Sequence, residues 1–294
     1  MTSAEWEYAP NGEIPVGRTL PEDVFRIAMK IEYDGAAYSG WQRQLNAPSI
    51  QETLEHALSK IANDSVQLVC AGRTDTGVHA TSQFAHFDTR AVRPDHKWQL
   101  GANSSLPSDI AVSWVKSVPG QFHARFSAKS RTYRYVIYNK RYAPAILGSG
   151  LTWCRNQLDS EKMHSAAQFL LGQHDFSSFR AAGCGANSPV RRVRSARVHR
   201  VADFIVLEIT ANAFLQHMVR SIVGLLIKIG SSDLPPEYLD EILKLKDRTK
   251  SAPTAKPNGL YFVDVEYPPE FSVPYNVRGP SFLQAAIETN GSDL

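Results

Sequence analysis

Residues 70–79, Cys-Ala-Gly-Arg-Thr-Asp-Thr-Gly-Val-His, concentrate the side chains in this sequence most able to do chemistry. Asp75 stands between Gly72 and Gly77, with Arg73 two residues before it and His79 four residues after it. Glycine reaches backbone angles closed to other residues, so such a stretch can bend sharply. A guanidinium beside a carboxylate favours the ionised form. An oriented carboxylate can then serve as nucleophile or general base. The competing reading is an ordinary turn aspartate whose side chain bonds its own backbone. Residue types alone leave both open.

The elements that must hold this loop are legible as patterns. Strand-like runs flank it, over 66–70 and 81–88. Residues 25–33 alternate, with Phe25, Ile27, Met29, Ile31 and Tyr33 facing one way and reading as a half-buried strand. Ser49-Ile50-Gln51-Glu52 is a capping-box pattern that predicts a helix with Ile50, Leu54, Leu58 and Ile61 inward. A short helix is expected over 95–103 and a strand over 110–118. A second cycle resembles the first. It has an aromatic strand over 131–138 and a helix capped by Asp159 and closed by Gly172, with Met163, Ala167, Leu170 and Leu171 inward. Strands over 190–200 and 204–210 follow, then an apolar helix over 215–229, a helix from Pro236 and a strand over 259–267. These patterns predict an α+β fold: two similar halves of mixed or antiparallel sheet with helices on one side. Residues 1–24 read as a flexible leader, 25–127 as the half with the aspartate loop, 128–267 as the other half, and 268–294 as a loose tail.

Composition narrows the classes. Of 294 residues, 43% are hydrophobic and the formal net charge is +3. That is ordinary for a folded chain and permits a nucleic-acid partner. No apolar run approaches the roughly 20 residues of a membrane span, and the polar start does not read as a secretion signal. Three widely spaced cysteines without a Cys-x-x-Cys pair argue against zinc or a disulfide framework and fit a reducing, cytoplasmic setting. No dinucleotide fingerprint or phosphate-binding glycine loop occurs, so no cofactor and no metal are expected.

Three stretches suit RNA. Residues 190–200 carry five arginines and no acid. They could track a phosphate backbone or simply guard an edge strand against aggregation. Residues 122–126 and 131–135 interleave arginines with aromatic rings, suited to stacking on bases or to an amphipathic strand. On the helix expected over 215–229, Phe214, His217 and Arg220 are spaced three apart to share a face.

The string Gly72-Arg73-Thr74-Asp75-x-Gly77-Val78-His79 resembles the signature of the TruA family of tRNA pseudouridine synthases. The likeness extends through Arg131-Thr132-Tyr133-Arg134-Tyr135, Gly172-x-His174-Asp175-Phe176-x-Ser178-Phe179 and the segment ending in Arg220. It implies a pseudouridine synthase-like fold without cofactor, acting as a homodimer on tRNA at positions 38 to 40 of the anticodon stem-loop, with no DNA or membrane partner. Residue by residue it implies that Asp75 is catalytic and that Tyr133 contacts the target uridine. Arg220 is expected near Asp75, and Arg73 or Arg220 to keep it charged and aimed. Thr76, where alanine is frequent, Gln216, where arginine is frequent, and the long leader depart from the pattern. The same chemistry on other RNA uridines, a tRNA-binding protein without catalysis, and a metal-dependent RNA hydrolase are the competing functions.

Overall fold

The computed structural model describes residues 20–275 and 279–283. The expected leader lies outside the described residues up to 19, as do 276–278 and 284–294 of the expected tail. Ten strands and five α-helices occur among the described residues, and none of these helices is long and apolar enough to cross a membrane. The chain divides into two compact units.

The first unit comprises Met1–Thr76, Ala80–Lys129 and Val265–Asn276. It holds β1 (Phe25–Tyr33), α1 (Ile50–Ala62), β2 (Val69–Cys70), most of β3 (His79–Thr89), α2 (Asp95–Ser105) and β4 (Ile110–Val118). β1 lies antiparallel between β3 and β4, and β2 pairs with β3. Ile27, Met29, Ile31 and Tyr33 are buried as the alternation predicts, whereas Phe25, at the strand's first position, is 39% exposed. α1 starts where the capping box places it: the Ser49 hydroxyl accepts from the Glu52 amide at 3.3 Å. Leu54, Leu58 and Trp98 are fully buried, each such side chain contributing about 1.5–3 kcal/mol, and Trp98 meets Phe87 edge-on at 5.2 Å. Arg26 ties the sheet to the segment after β4. It grips Asp88 through two 2.7 Å bonds and donates to the Gly120 and Phe122 carbonyls.

The second unit comprises Gly77–His79, Ser130–Asp264 and Val277–Leu294. Its elements are β5 (Ser130–Asn139), β6 (Thr152–Cys154), α3 (Ser160–Gln168), β7 (Gly172–Asp175), β8 (Val190–Val201), β9 (Phe204–Ala211), α4 (Met218–Gly230), α5 (Tyr238–Leu245) and most of β10 (Leu260–Glu266). The strand order is β10-β5-β9-β8-β7, with β6 on β5 as the parallel pair. Two helix boundaries differ from expectation. α3 ends at Gln168, and Gly172, at φ +96°, opens β7 instead of closing a helix; Leu171, expected inward, is 39% exposed. α4 starts at Met218 because His217 adopts φ +64°, a left-handed angle no α-helix continues through. Ile222, Leu225, Leu226 and Ile229 still form its buried face.

β7 covers only Val190–Val193 of β8. Further along, α3 side chains take over: Gln168 donates to the Ala196 carbonyl at 2.9 Å, and His164 Nδ1 accepts from the Val198 amide at 3.2 Å. Near the C-terminus, the Gly279 carbonyl accepts from Arg134 at 2.7 Å. Leu283 is fully buried against Val136, Val206 and Val263. Residues 279–283 are thus packed, unlike the loose tail their composition suggests.

Candidate active site

Asp75 sits half-buried in the first unit, in a loop held at Ala71, Gly72 and Thr74. The Ala71 amide bonds the Phe84 carbonyl at 2.8 Å, and the Gly72 carbonyl accepts from Gln83 at 2.7 Å. The Thr74 hydroxyl shares a 2.8 Å hydrogen bond with the buried Tyr33 hydroxyl, and the Thr74 carbonyl accepts from the Trp41 amide at 3.0 Å. Gly40, at φ +93°, lies against this point: a Cβ there would stand 2.6 Å from the Thr74 oxygen and 3.1 Å from the Asp75 carbonyl carbon. Only glycine fits both the angle and the space. The strand Phe25–Tyr33, the Gly40-Trp41 loop and β3 therefore hold the backbone on both sides of the carboxylate. Desolvation pushes the Cys70 thiol up to about 12, so it stays protonated near neutrality and does not compete as a nucleophile.

Arg73 is exposed, and no ion pair links it to Asp75 among the described residues.

Tyr133 and Arg220 belong to the second unit. Tyr133 is 8% exposed on β5 and is held edge-on by Phe214 at 4.9 Å and Phe262 at 4.8 Å. Tyr135, two residues on, is fully buried, its hydroxyl bonded to Thr152 at 2.6 Å and to the Lys256 carbonyl at 2.7 Å; it packs. Arg220 is half-buried near the start of α4. Its Nε donates to the Ala255 carbonyl at 2.9 Å, while the Ala255 amide donates back to the Arg220 carbonyl at 3.1 Å. The segment Ser251–Lys256 is thereby strapped along α4. Gly224 makes the approach possible, since a Cβ there would lie 2.0 Å from the Pro253 oxygen. His79 is 3% exposed, stacked on Tyr261 at 4.9 Å and bonded to the Ser149 carbonyl at 3.0 Å. These contacts make it a fixed structural ring.

The expectation that Phe214, His217 and Arg220 share a helix face fails, because the first two precede the helix. The aromatic-arginine pattern of 131–135 also turns inward. Arg131 and Arg134 are 9% and 7% exposed, and Arg134 grips Glu208 at 2.7–2.8 Å. Of the 122–126 cluster, Phe122, His123 and Ala124 are buried and Arg125 is exposed over the Phe126 ring. The basic surface that survives is β8, where Arg192, Arg194, Arg197 and Arg200 are exposed. A register shift between Val193 and Ser195 lets Arg197 face outward with Arg192 and Arg194 despite its odd spacing from them. Sequence reading passed over the residues that fix the loop and the Arg220 strap: Gly40, Tyr33, Gln83 and Ala255. Gly40 within Ser39-Gly40-Trp41 was the one visible signal.

The α+β fold thus holds a backbone-fixed carboxylate in its first unit and, in its second, a ring-flanked tyrosine, a strapped arginine and an arginine-faced strand. The family model for tRNA pseudouridine synthases matches residues 29–127 and 166–268. The tRNA pseudouridine synthase A of Shewanella woodyi is 56% identical over 258 residues, covering 88% of this chain and 99% of that protein. That of Cronobacter sakazakii is 53% identical over 268 residues, covering 91% and 99%. Among solved structures, the archaeal box H/ACA Nop10-Cbf5 complex is similar at a TM-score of 0.34 and 9% identity, over 75% of this chain and 53% of that one. The chain belongs to the tRNA pseudouridine synthase family, and the reaction of that family is the isomerisation of uridine to pseudouridine in tRNA.

Proposed function

We propose that the protein isomerises uridines at positions 38 to 40 of the tRNA anticodon stem-loop, with Asp75 as the catalytic carboxylate. The observation that carries this is the pinned loop: an aspartate whose preceding residues are bonded by Tyr33, Trp41 and Gln83 and whose backbone is walled by Gly40. A turn aspartate that only capped itself would not need that shell. In the reaction the N1–C1′ bond breaks and a C5–C1′ bond forms, while the proton leaves C5 and N1 regains one. Asp75 either attacks a reacting carbon or balances positive charge developing on the sugar, tasks for which glycosidases also use carboxylates. The target base must leave its stack, at a cost of a few kcal/mol that is lowest for a loosely stacked base. Tyr133, kept upright by Phe214 and Phe262, packs against that base. Arg220, fixed by Ala255, and the exposed Arg73 meet the negatively charged nucleotide. The protein acts in the cytoplasm as a homodimer, as the family resemblance implies.

The test is Asp75→Asn and Asp75→Ala, assayed by tritium release from C5-labelled uridine in tRNA and by tRNA binding. Binding is expected to persist while release stops. Appreciable turnover in either variant would remove Asp75 from the mechanism.

A further inference from the structure

The second unit contains a cavity of about 420 Å³ that the roles above do not use. This lies within the roughly 300–1,000 Å³ of small-ligand pockets. Its walls include Arg180, Arg248, His217, Gln216, Ser221 and Ser251, and no aspartate or glutamate lines it among the described residues.

Four features of this lining fit one ligand. Arg180 is oriented without being neutralised: its Nη2 donates to the carbonyls of Cys184 and Ala186, at 2.5 and 2.8 Å, and no carboxylate pairs with it among the described residues. Arg248 is exposed, and the adjacent Asp247 carboxylate is taken by the Thr249 amide and hydroxyl, at 2.9 and 2.7 Å. The Ser251 hydroxyl is buried, with no hydrogen-bond partner among the described residues. The cavity also opens at the N-terminal end of α4, which no side chain caps and whose dipole favours anions. Two guanidiniums with hydroxyl donors and no competing acid match a phosphate oxygen set.

We propose that this cavity is a phosphate site that takes one backbone phosphodiester of the bound RNA. It rests on the proposed action on tRNA and extends it to a contact away from the reacting base. RNA is favoured over free phosphate because the chain belongs to a family whose substrate is tRNA. Burial lowers the pKa of Arg191, at the start of β8, against the opposing Cys184 thiol and with a smaller addition from the like charge of Arg180. Arg192 and Arg194 lie on the other face of that strand, and they and Arg197 are exposed.

The experiment compares the full-length protein with Arg248→Gln and Arg248→Lys. Arg248 is exposed, so folding, read by the thermal midpoint, is expected to hold. Binding of tRNA is measured across salt concentrations. Losing one phosphate contact is expected to weaken Arg248→Gln about five- to tenfold and to lower the salt slope by about one. Arg248→Lys should recover the slope. Ethylating single tRNA phosphates should identify one position that weakens the wild type and no longer matters to Arg248→Gln. Unchanged affinity, slope and interference pattern would overturn the site. Inorganic phosphate is titrated against chloride at matched ionic strength, with the thermal midpoint as readout. A saturable rise in the wild type, lost in Arg248→Gln while the tRNA slope is unchanged, would assign the pocket to free phosphate and overturn the RNA source. Binding that behaves as expected in a protein that forms no pseudouridine would defeat the proposed function and leave this site standing.

Discussion

Gly40→Ala tests the claim that the catalytic loop is held from the side by backbone. The new Cβ would stand 2.6 Å from the Thr74 oxygen, so that oxygen must retreat by about 0.4–0.8 Å to reach the 3.0–3.4 Å of a tight contact. The residue also sits at φ +93°, where a side chain costs about 1–3 kcal/mol. Moving Thr74 strains its 3.0 Å bond from Trp41, a further ~1 kcal/mol. A total of roughly 2–4 kcal/mol lowers the melting midpoint by about 5–15 °C. Asp75 follows Thr74 directly, and displacing a catalytic group by about 1 Å can cost about 100-fold in rate. We expect kcat for tritium release to fall about 10- to 100-fold at a temperature where the variant is folded, with tRNA affinity nearly unchanged. Gly148→Ala, whose Cβ meets nothing within 4 Å, is the control. A Gly40→Ala enzyme that is folded and turns over at the wild-type rate would refute the idea that this wall aims Asp75.

Acid sensitivity should trace in part to the first unit. Burial pushes His123 down from 6.5 to about 4 and moves His86 the same way. The unfolded chain therefore binds more protons between those pH values. The stability of neutral His123 is complete above about pH 6.5 and is lost as pH falls toward 4. Urea midpoints at pH 7.5 and pH 5 should differ, and differ less in His123→Asn; identical differences would rule the residue out. Leu283→Ala removes a fully buried side chain from its cluster and should lower stability by about 2–5 kcal/mol, as read by urea denaturation. A change below about 0.5 kcal/mol would mean that residues 279–283 are not part of the fold in solution.

The long periodic elements were readable because local rules agreed with tertiary demands. Ser49 caps α1, and the apolar stripe of α4 faces the core as its spacing predicts. Readings failed where one residue broke a regular pattern. His217 carries no local signature of a left-handed angle, yet it shortens α4 and separates Phe214 from Arg220. Arginines at 131 and 134 look like an RNA surface until the Asn212 carbonyl, for the first, and Glu208 and the Gly279 carbonyl, for the second, supply partners far along the chain. Asp75 was legible as a possible chemical group, but its support comes from Gly40, Tyr33 and Gln83, residues up to 41 positions away in sequence for the Thr74 bond. Such long-range support has no period to detect.

The side-chain seal that His164 and Gln168 place on β8 has a consequence for its arginines. An open strand border normally needs charge to keep other chains from adding to it. Here the Ala196 oxygen and the Val198 nitrogen already have partners, so the guanidiniums along that border are released from policing it. Their number and spacing are free to answer to the geometry of a polyanion.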